Sequence, residues 1–272
     1  MIGFQSVLKL VVKCIVGTLV ATLVSASANA IDWQDSPEIA ALFAKAEVQG
    51  TFVMYDVSAN TYTGFNRSRA ETRFIPASTF KLPNSLIGLA TGAVNSVDEI
   101  FPWDGKPRWM KSWEKDMDLR EAIKLSAVPV YQEVARRVGL QRMQQNVSKI
   151  GYGNSEIGTA IDDFWLDGSL RISAVEQTGF LSKLAQGTLP FPNEVQASVR
   201  DIARLEQGSD WTLFGKTGWS TREQPIGWWV GWVEKNGRYY AFALNIDMPE
   251  QADAAKRIEI GKASLLALGV LN

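Results

Sequence analysis

Histidine is absent from the 272 residues, and cysteine occurs once, as Cys14. Without histidine there is no Ser-His-Asp triad and no imidazole metal site. A hydrolase of this composition working near neutral pH must take its base from Lys, Asp/Glu or Tyr. A dominant charge is also missing: 28 Lys+Arg stand against 29 Asp+Glu, which gives no hint of nucleic-acid binding. Past the N-terminus no apolar run is long enough to span a bilayer, and the stretches at 226–233 and 240–246 are strand-length. Nothing suggests disorder, a repeat or a coiled coil.

The first thirty residues read as a leader. Lys9 and Lys13 are their only charges; an apolar run from Cys14 to Val24 follows, then Ser-Ala-Asn-Ala ending at Ala30. This is the order of an export signal with an A-x-A-type cleavage site. The expectation is cleavage after residue 30, a mature chain of 31–272 that is free of the membrane, and a periplasmic location if the source is Gram-negative. The mature chain then has no cysteine, hence no disulfide, thiolate nucleophile or Cys zinc site. Removing Lys9 and Lys13 leaves 26 basic against 29 acidic residues, a net charge of −3.

The remaining residues, 46% apolar over the whole chain with 10 Trp, suffice for one large domain of two lobes. Residues 51–56 and 60–66 read as paired strands. A helix is predicted over 79–93 with Ser78 at its entrance and a local kink at Pro83. A short helix over 117–125 ends at Ser126-Ala-Val-Pro129, where Val128 should be extended because it precedes proline. Residues 130–150 are helical in pattern, and Tyr152-Gly-Asn154 marks a loop. Ser173 and Glu176 form a capping box that opens another helix, and 193–207 suggests one more. Strands follow at 211–219, 226–234 and 238–247, the last two joined by the hairpin signal Asn236-Gly237, and a helix closes the chain at 252–268. The expected fold is α+β. An antiparallel sheet of about five strands, drawn from 31–75 and 209–272, carries flanking helices, and a mid-chain helical lobe spans 76–208. The default site is the cleft between the lobes.

Ser78-Thr-Phe-Lys81 puts a hydroxyl and an amine one turn apart at a helix start. The hydroxyl is either a nucleophile with a lysine base or simply a helix cap. Ser-x-x-Lys also occurs at Ser6–Lys9 and Ser112–Lys115, so the tetrapeptide alone decides nothing. A lysine base has a protonation problem as well. With a pKa of about 10.4, neutral lysine at pH 7 costs roughly 4.6 kcal/mol unless burial lowers that value. Lys216-Thr-Gly218 lies in a strand pattern, where glycine lets a ligand lie close alongside. By itself it is an ordinary strand tripeptide. Ser126-Ala-Val128 is equally bland, as its second copy at Ser173 shows.

Jointly the motifs say more. Ser-x-x-Lys, Ser-x-Val, Tyr-Gly-Asn and Lys-Thr-Gly occur in that order at 78, 126, 152 and 216, with Phe164-Trp-Leu-Asp-Gly168 and Pro225-Ile-Gly-Trp-Trp-Val-Gly-Trp232 among them. The mature chain resembles the penicilloyl serine transferases throughout its length, and within them the class D serine β-lactamases, or oxacillinases. The resemblance implies hydrolysis of the β-lactam amide of penicillins by a chain with no metal and no organic cofactor. Ser78 would carry the acyl group. Lys81 would be carboxylated by CO2 or bicarbonate and act as base in acylation and deacylation. Trp165 would hold the carbamate between the apolar walls Val128 and Leu166. Ser126, helped by Lys216, would pass a proton to the leaving nitrogen. The amides of Ser78 and Trp219 would form the oxyanion hole, with Gly218 letting substrate lie alongside. Thr217 and Arg257 would bind the drug's carboxylate, the arginine as a two-pronged fork. Trp219 stands where the family often has Phe or Tyr. Tyr152 is read as structural. Met110 and the loop 220–225 are expected to shape the spectrum of substrates. Dimerisation is left open.

Two rival readings share the acylation step: a DD-peptidase or transpeptidase that β-lactams trap, and a β-lactam-sensing domain that acylates without turnover. Deacylation separates them from a β-lactamase.

Overall fold

A computed structural model describes residues 32–222 and 224–272. The leader expected over 1–30 lies outside them. The chain runs β1 (Trp33–Asp35), α1 (Pro37–Ala46), β2 (Gly50–Asp56), β3 (Thr61–Phe65), α2 (Arg67–Glu71) and a 3-10 turn (Ala77–Phe80) that leads directly into α3 (Lys81–Ala90). Then come α4 (Leu119–Lys124), α5 (Val128–Val138), α6 (Leu140–Ile150), α7 (Ala174–Gln186) and α8 (Asn193–Ile202). The chain closes with β4 (Arg204–Gln207), β5 (Trp211–Ser220), β6 (Ile226–Lys235), β7 (Arg238–Asp247) and α9 (Ala254–Ala267).

The α+β class and the use of both chain ends in one sheet are as expected. The sheet itself is larger. It has seven strands in the order β1-β3-β2-β7-β6-β5-β4, and it is mixed, because β1 pairs with β3 in parallel. The five strands read from the sequence form its antiparallel centre. The two extra strands are short edges. β4 takes the residues assigned to the end of a longer helix: Ala203 caps α8, its carbonyl accepts from Gly215 N–H at 2.9 Å, and the next residues pair with β5. Backbone pairing on an open sheet edge here outweighs helical pattern.

The hairpin signal is obeyed. Asn236 and Gly237 have φ of 51° and 72°, the geometry of a tight two-residue turn, with Lys235 opposite Arg238. The capping box at Ser173 also forms, with reciprocal bonds of 3.1 and 2.9 Å to Glu176. The helical pattern of 130–150 is split by Gly139 (φ 80°) into α5 and α6. Val128 is not extended. It is the first residue of α5, and the extended residue is Ala127 (φ −63°, ψ 99°). Pro129 thus sits in the first turn, where a missing N–H goes unneeded. Pro83 likewise falls in the first turn of α3, and the irregularity lies ahead of it as the 3-10 segment.

Period two along β6 and β7 separates two cores. Trp228, Val230, Trp232, Ala241 and Ala243 face the layer that holds α3, α5 and α7. Trp229, Val233, Phe242, Leu244 and Ile246 face α1 and α9. Both sets are essentially fully buried. Phe214 stacks flat on Trp232 at 4.6 Å between centroids. No helix among the described residues is long and apolar enough to cross a membrane.

Candidate active site

Ser78 is the second residue of the 3-10 turn, not its cap. A 3-10 helix has three residues per turn, so positions i and i+3 eclipse. Lys81 therefore lies directly over Ser78, and Lys81 Nζ is 2.7 Å from Ser78 Oγ. The local ambiguity is resolved by geometry: the hydroxyl bonds the amine and caps nothing. The residue before Ser78, Ala77, has φ of 49°. For a non-glycine residue this left-handed conformation costs on the order of 1–3 kcal/mol and persists only where its surroundings enforce it.

Lys81 is completely buried. Its ammonium lies 5.3 Å from the centre of the Tyr131 ring, and no carboxylate faces it among its described partners. Desolvation, and secondarily the charge of Lys216, hold its pKa well below the lysine range. Burial thus makes the charged form of this lysine costlier than that of an exposed one.

Ser126 is a second left-handed non-glycine residue, with φ of 54°, in the turn between α4 and α5. Lys216 Nζ reaches it from β5 and donates to Ser126 Oγ at 3.0 Å, to Thr217 O at 2.9 Å and to Thr217 Oγ1 at 3.4 Å. Burial, with a smaller contribution from the Arg257 charge, lowers the Lys216 pKa to about 7. Arg257 is itself lowered to about 10 by burial. It donates Nη1 to Gly218 O at 2.6 Å and Nε to Ala254 O at 3.0 Å. Part of the expected fork is thus engaged with backbone.

A cleft of about 220 Å³ brings these groups together. Ser78, Ser126, Val128, Leu166, Thr217, Gly218, Trp219 and Arg257 all line it. Lys81 and Lys216 lie behind the lining and touch it through the two serines. β4 covers β5 only at Thr212–Phe214, so the Lys216–Trp219 edge is left to face the 3-10 turn. The approach is close: a Cβ on Gly218 would stand 3.1 Å from Pro76 O and 3.1 Å from Thr79 Cγ2. Trp165 does not line the cleft. It is fully buried, stacked on Phe80 at 5.6 Å with planes 21° apart, and edge-on to Phe164 at 4.9 Å. Its Nε1–H has no hydrogen-bond partner among the described residues, an unusual state for a buried donor.

Tyr152 is fully buried and packs edge-on to Phe80 and Phe180. The sequence reading missed six cleft residues: Trp109, Trp113, Leu125, Met248, Gln251 and Ala254. Trp109, which is 70% exposed, has its ring 6.0 Å from Trp113 and 6.2 Å from Trp219, so the three tryptophans rim the mouth; Met248 adds to the wall. The i, i+4 tryptophan pair 109/113 in an otherwise polar segment was the available signal.

Residues 44–266 match the penicillin binding protein transpeptidase domain family. The chain is 45% identical to the β-lactamase OXA-5 of Pseudomonas aeruginosa over 233 residues, covering 84% of this chain and 87% of that one. It is 42% identical to OXA-48 of Klebsiella pneumoniae, over 89% and 92% of the two chains. The fold superposes on the crystal structure of FUS-1 (OXA-85), a class D β-lactamase of Fusobacterium nucleatum subsp. polymorphum, with a TM-score of 0.86 and 44% identity, over 88% of this chain and all of that one. With its two lysine-paired serines on one cleft and relatives this similar across nearly their whole length, the chain belongs to the class D serine β-lactamases.

Proposed function

We propose that the protein hydrolyses penicillins, oxacillin-type compounds included, through an acyl-enzyme on Ser78. The observation that carries this is the buried pair Lys81 Nζ–Ser78 Oγ at 2.7 Å, which opens onto a cleft that also holds Ser126, Thr217 and Arg257.

Ser78 Oγ attacks the lactam carbonyl, a carbon–oxygen bond forms, and the ring carbon–nitrogen bond breaks. The N–H groups of Ser78 and Trp219 receive the oxyanion. One such donor is typically worth about 2.7–4 kcal/mol of barrier. Ser126, hydrogen-bonded to Lys216 Nζ, hands a proton to the departing nitrogen. A Lys216 pKa of about 7 suits it to resupply that proton. Thr217 Oγ1 and the unspent Nη donors of Arg257 hold the substrate carboxylate. Water then cleaves the ester and frees Ser78.

Lys81 is the site for CO2. Carboxylation needs a neutral amine, toward which burial shifts this lysine, and a carbamate needs buried donors, of which the unpartnered Trp165 Nε1–H is one. Val128 and Leu166 supply the dry wall. When present, the carbamate supplies an anionic base at neutral pH for both acylation and deacylation. The residues fit this group. Residues 1–30 act as the export leader and are removed, so the mature enzyme works outside the inner membrane.

The test is benzylpenicillin and oxacillin hydrolysis by the chain 31–272, with and without bicarbonate, at slightly acidic pH. Many turnovers stimulated by bicarbonate are expected. One stoichiometric burst and a stable acyl-enzyme, whatever the bicarbonate, would instead indicate a penicillin-binding protein or sensor.

A further inference from the structure

The segment that delivers Ser78 is tied at three successive carbonyls. Phe74 and Ile172 exchange both backbone hydrogen bonds, at 2.9 and 2.8 Å. Trp228 Nε1 donates to Ile75 O at 2.9 Å. Pro76 O accepts from Thr79 N–H at 3.2 Å and from the Thr79 hydroxyl at 2.7 Å. The first two ties come from strand-like pairing and from a sheet tryptophan. The third rests on a hydroxyl whose direction is set elsewhere.

Gln177, on α7, donates its Nε2–H to Thr79 Oγ1 at 2.9 Å, and its Oε1 accepts from the Tyr152 hydroxyl at 3.3 Å. All three residues are at most 1% exposed, so bulk water cannot stand in for a missing member. A threonine hydroxyl has one proton. It points at Pro76 O while its own lone pair is met by an N–H. With the amide of Gln177 reversed, Oε1 would face Thr79 and compete for that proton, and Pro76 O would lose its shorter bond. The Tyr152 hydroxyl, donating to Oε1, favours the productive orientation.

We propose that Gln177 is a positioning residue for the nucleophile: acting through Thr79, it locks the turn in which Ala77 is left-handed and Ser78 faces the cleft. The tyrosine of Tyr-Gly-Asn serves the same end by fixing the amide of Gln177. This deepens the reading of Ser78 as the nucleophile and rests on it. None of the three bonds reaches Lys81 or Lys216. The geometry of attack depends on them, and the titration of the base does not.

The deciding comparison is Thr79→Val against Thr79→Ser, with Gln177→Met and Tyr152→Phe beside them, on benzylpenicillin. Thr79→Val and Gln177→Met are expected to lower kcat by about 10- to 100-fold, the scale of a small misplacement of reacting groups. KM, the half-activating bicarbonate concentration and the limbs of the pH profile should stay at wild-type values. Thr79→Ser keeps the hydroxyl and should recover most of the turnover. The double variant Thr79→Val/Gln177→Met should be no slower than the worse single one, since both break one chain of bonds. Wild-type kcat in Thr79→Val overturns the proposal. So does a loss that Thr79→Ser fails to rescue, or one that comes with a raised bicarbonate requirement or a displaced pH limb. If the Gln177 variants do not fold, the Thr79 pair decides alone. An inactive wild-type chain would overturn the reading of Ser78 itself, a result separate from any of these.

Discussion

Lys216 Nζ meets Ser126 Oγ at 3.0 Å, although β5 brings one residue and a left-handed turn ahead of α5 brings the other. The contact joins the sheet to the helical layer at the cleft, and it buries a lysine whose pKa falls to about 7, chiefly by desolvation. Between about 7 and 10.5 the unfolded chain therefore binds a proton that the folded chain does not. The cost of burying this lysine is complete below pH 7 and fades as the pH rises to 10.5. The variant Lys216→Met should accordingly be more stable than wild type at pH 6, by an amount of the order of a few kcal/mol. Its advantage should shrink steadily toward pH 10. Denaturant melts of both proteins across that range check the sign, and a pH-independent difference would count against the buried charge.

Ser78→Ala removes the only atom that can carry the acyl group in this mechanism. Turnover of benzylpenicillin should fall by at least about 10⁴-fold, with no acyl adduct by intact-protein mass spectrometry. Lys81→Ala should fall comparably and lose all response to bicarbonate. An acyl adduct on Ser78→Ala would place the nucleophile elsewhere.

Trp165→Phe keeps an aromatic ring on Phe80 and deletes a buried N–H that has no partner among the described residues. Without bicarbonate that donor abandons no partner among the described residues, so stability should then change by less than about 1.5 kcal/mol. The bicarbonate needed for half-maximal activity should rise, and acyl-enzyme should accumulate. Rapid-quench trapping with a bicarbonate titration measures both.

Gly218→Ala tests the close approach of β5 to the turn that carries Ser78. Its Cβ would press on Pro76 O and Thr79 Cγ2 at 3.1 Å each and on Thr79 N at 3.3 Å, so the turn must yield by a few tenths of an ångström. A fall in kcat of about tenfold is expected, again on the scale of misplaced reacting groups, with a folded protein by circular dichroism. Unchanged kcat would mean that the turn tolerates displacement.

Much of this architecture is legible in local chemistry. Asn236-Gly237 dictates its hairpin, Ser173 and Glu176 dictate their helix start, and the strand-length apolar run at 226–233 dictates a strand, which the fold buries on both faces. What the sequence hides is decided by partners far away. Trp33–Asp35 and Arg204–Gln207 are strands because an edge of the sheet is there to receive them. Val128 is helical because the break moves back to Ala127. In the site, order and spacing find Ser78, Lys81, Ser126 and Lys216. They do not find Gln177 or Thr79, whose significance lies in hydrogen bonds across 98 residues of chain. Nor do they place Trp109, whose contact with Trp219 spans the cleft mouth.

Strand β2 is paired on one side with β3, its neighbour in sequence, and on the other with the central strand β7, where Gly50 lies opposite Ile246. This lends the chain an order of events in time. A nascent polypeptide can make its helical layer early, but the middle of its sheet waits for residues close to the C-terminus, and such long-range closure is slow. Until β7 arrives, β2 and β6 each present an unpaired edge to neighbouring chains. The interval before β7, Arg238–Asp247, emerges is therefore the one in which these edges are most exposed to aggregation.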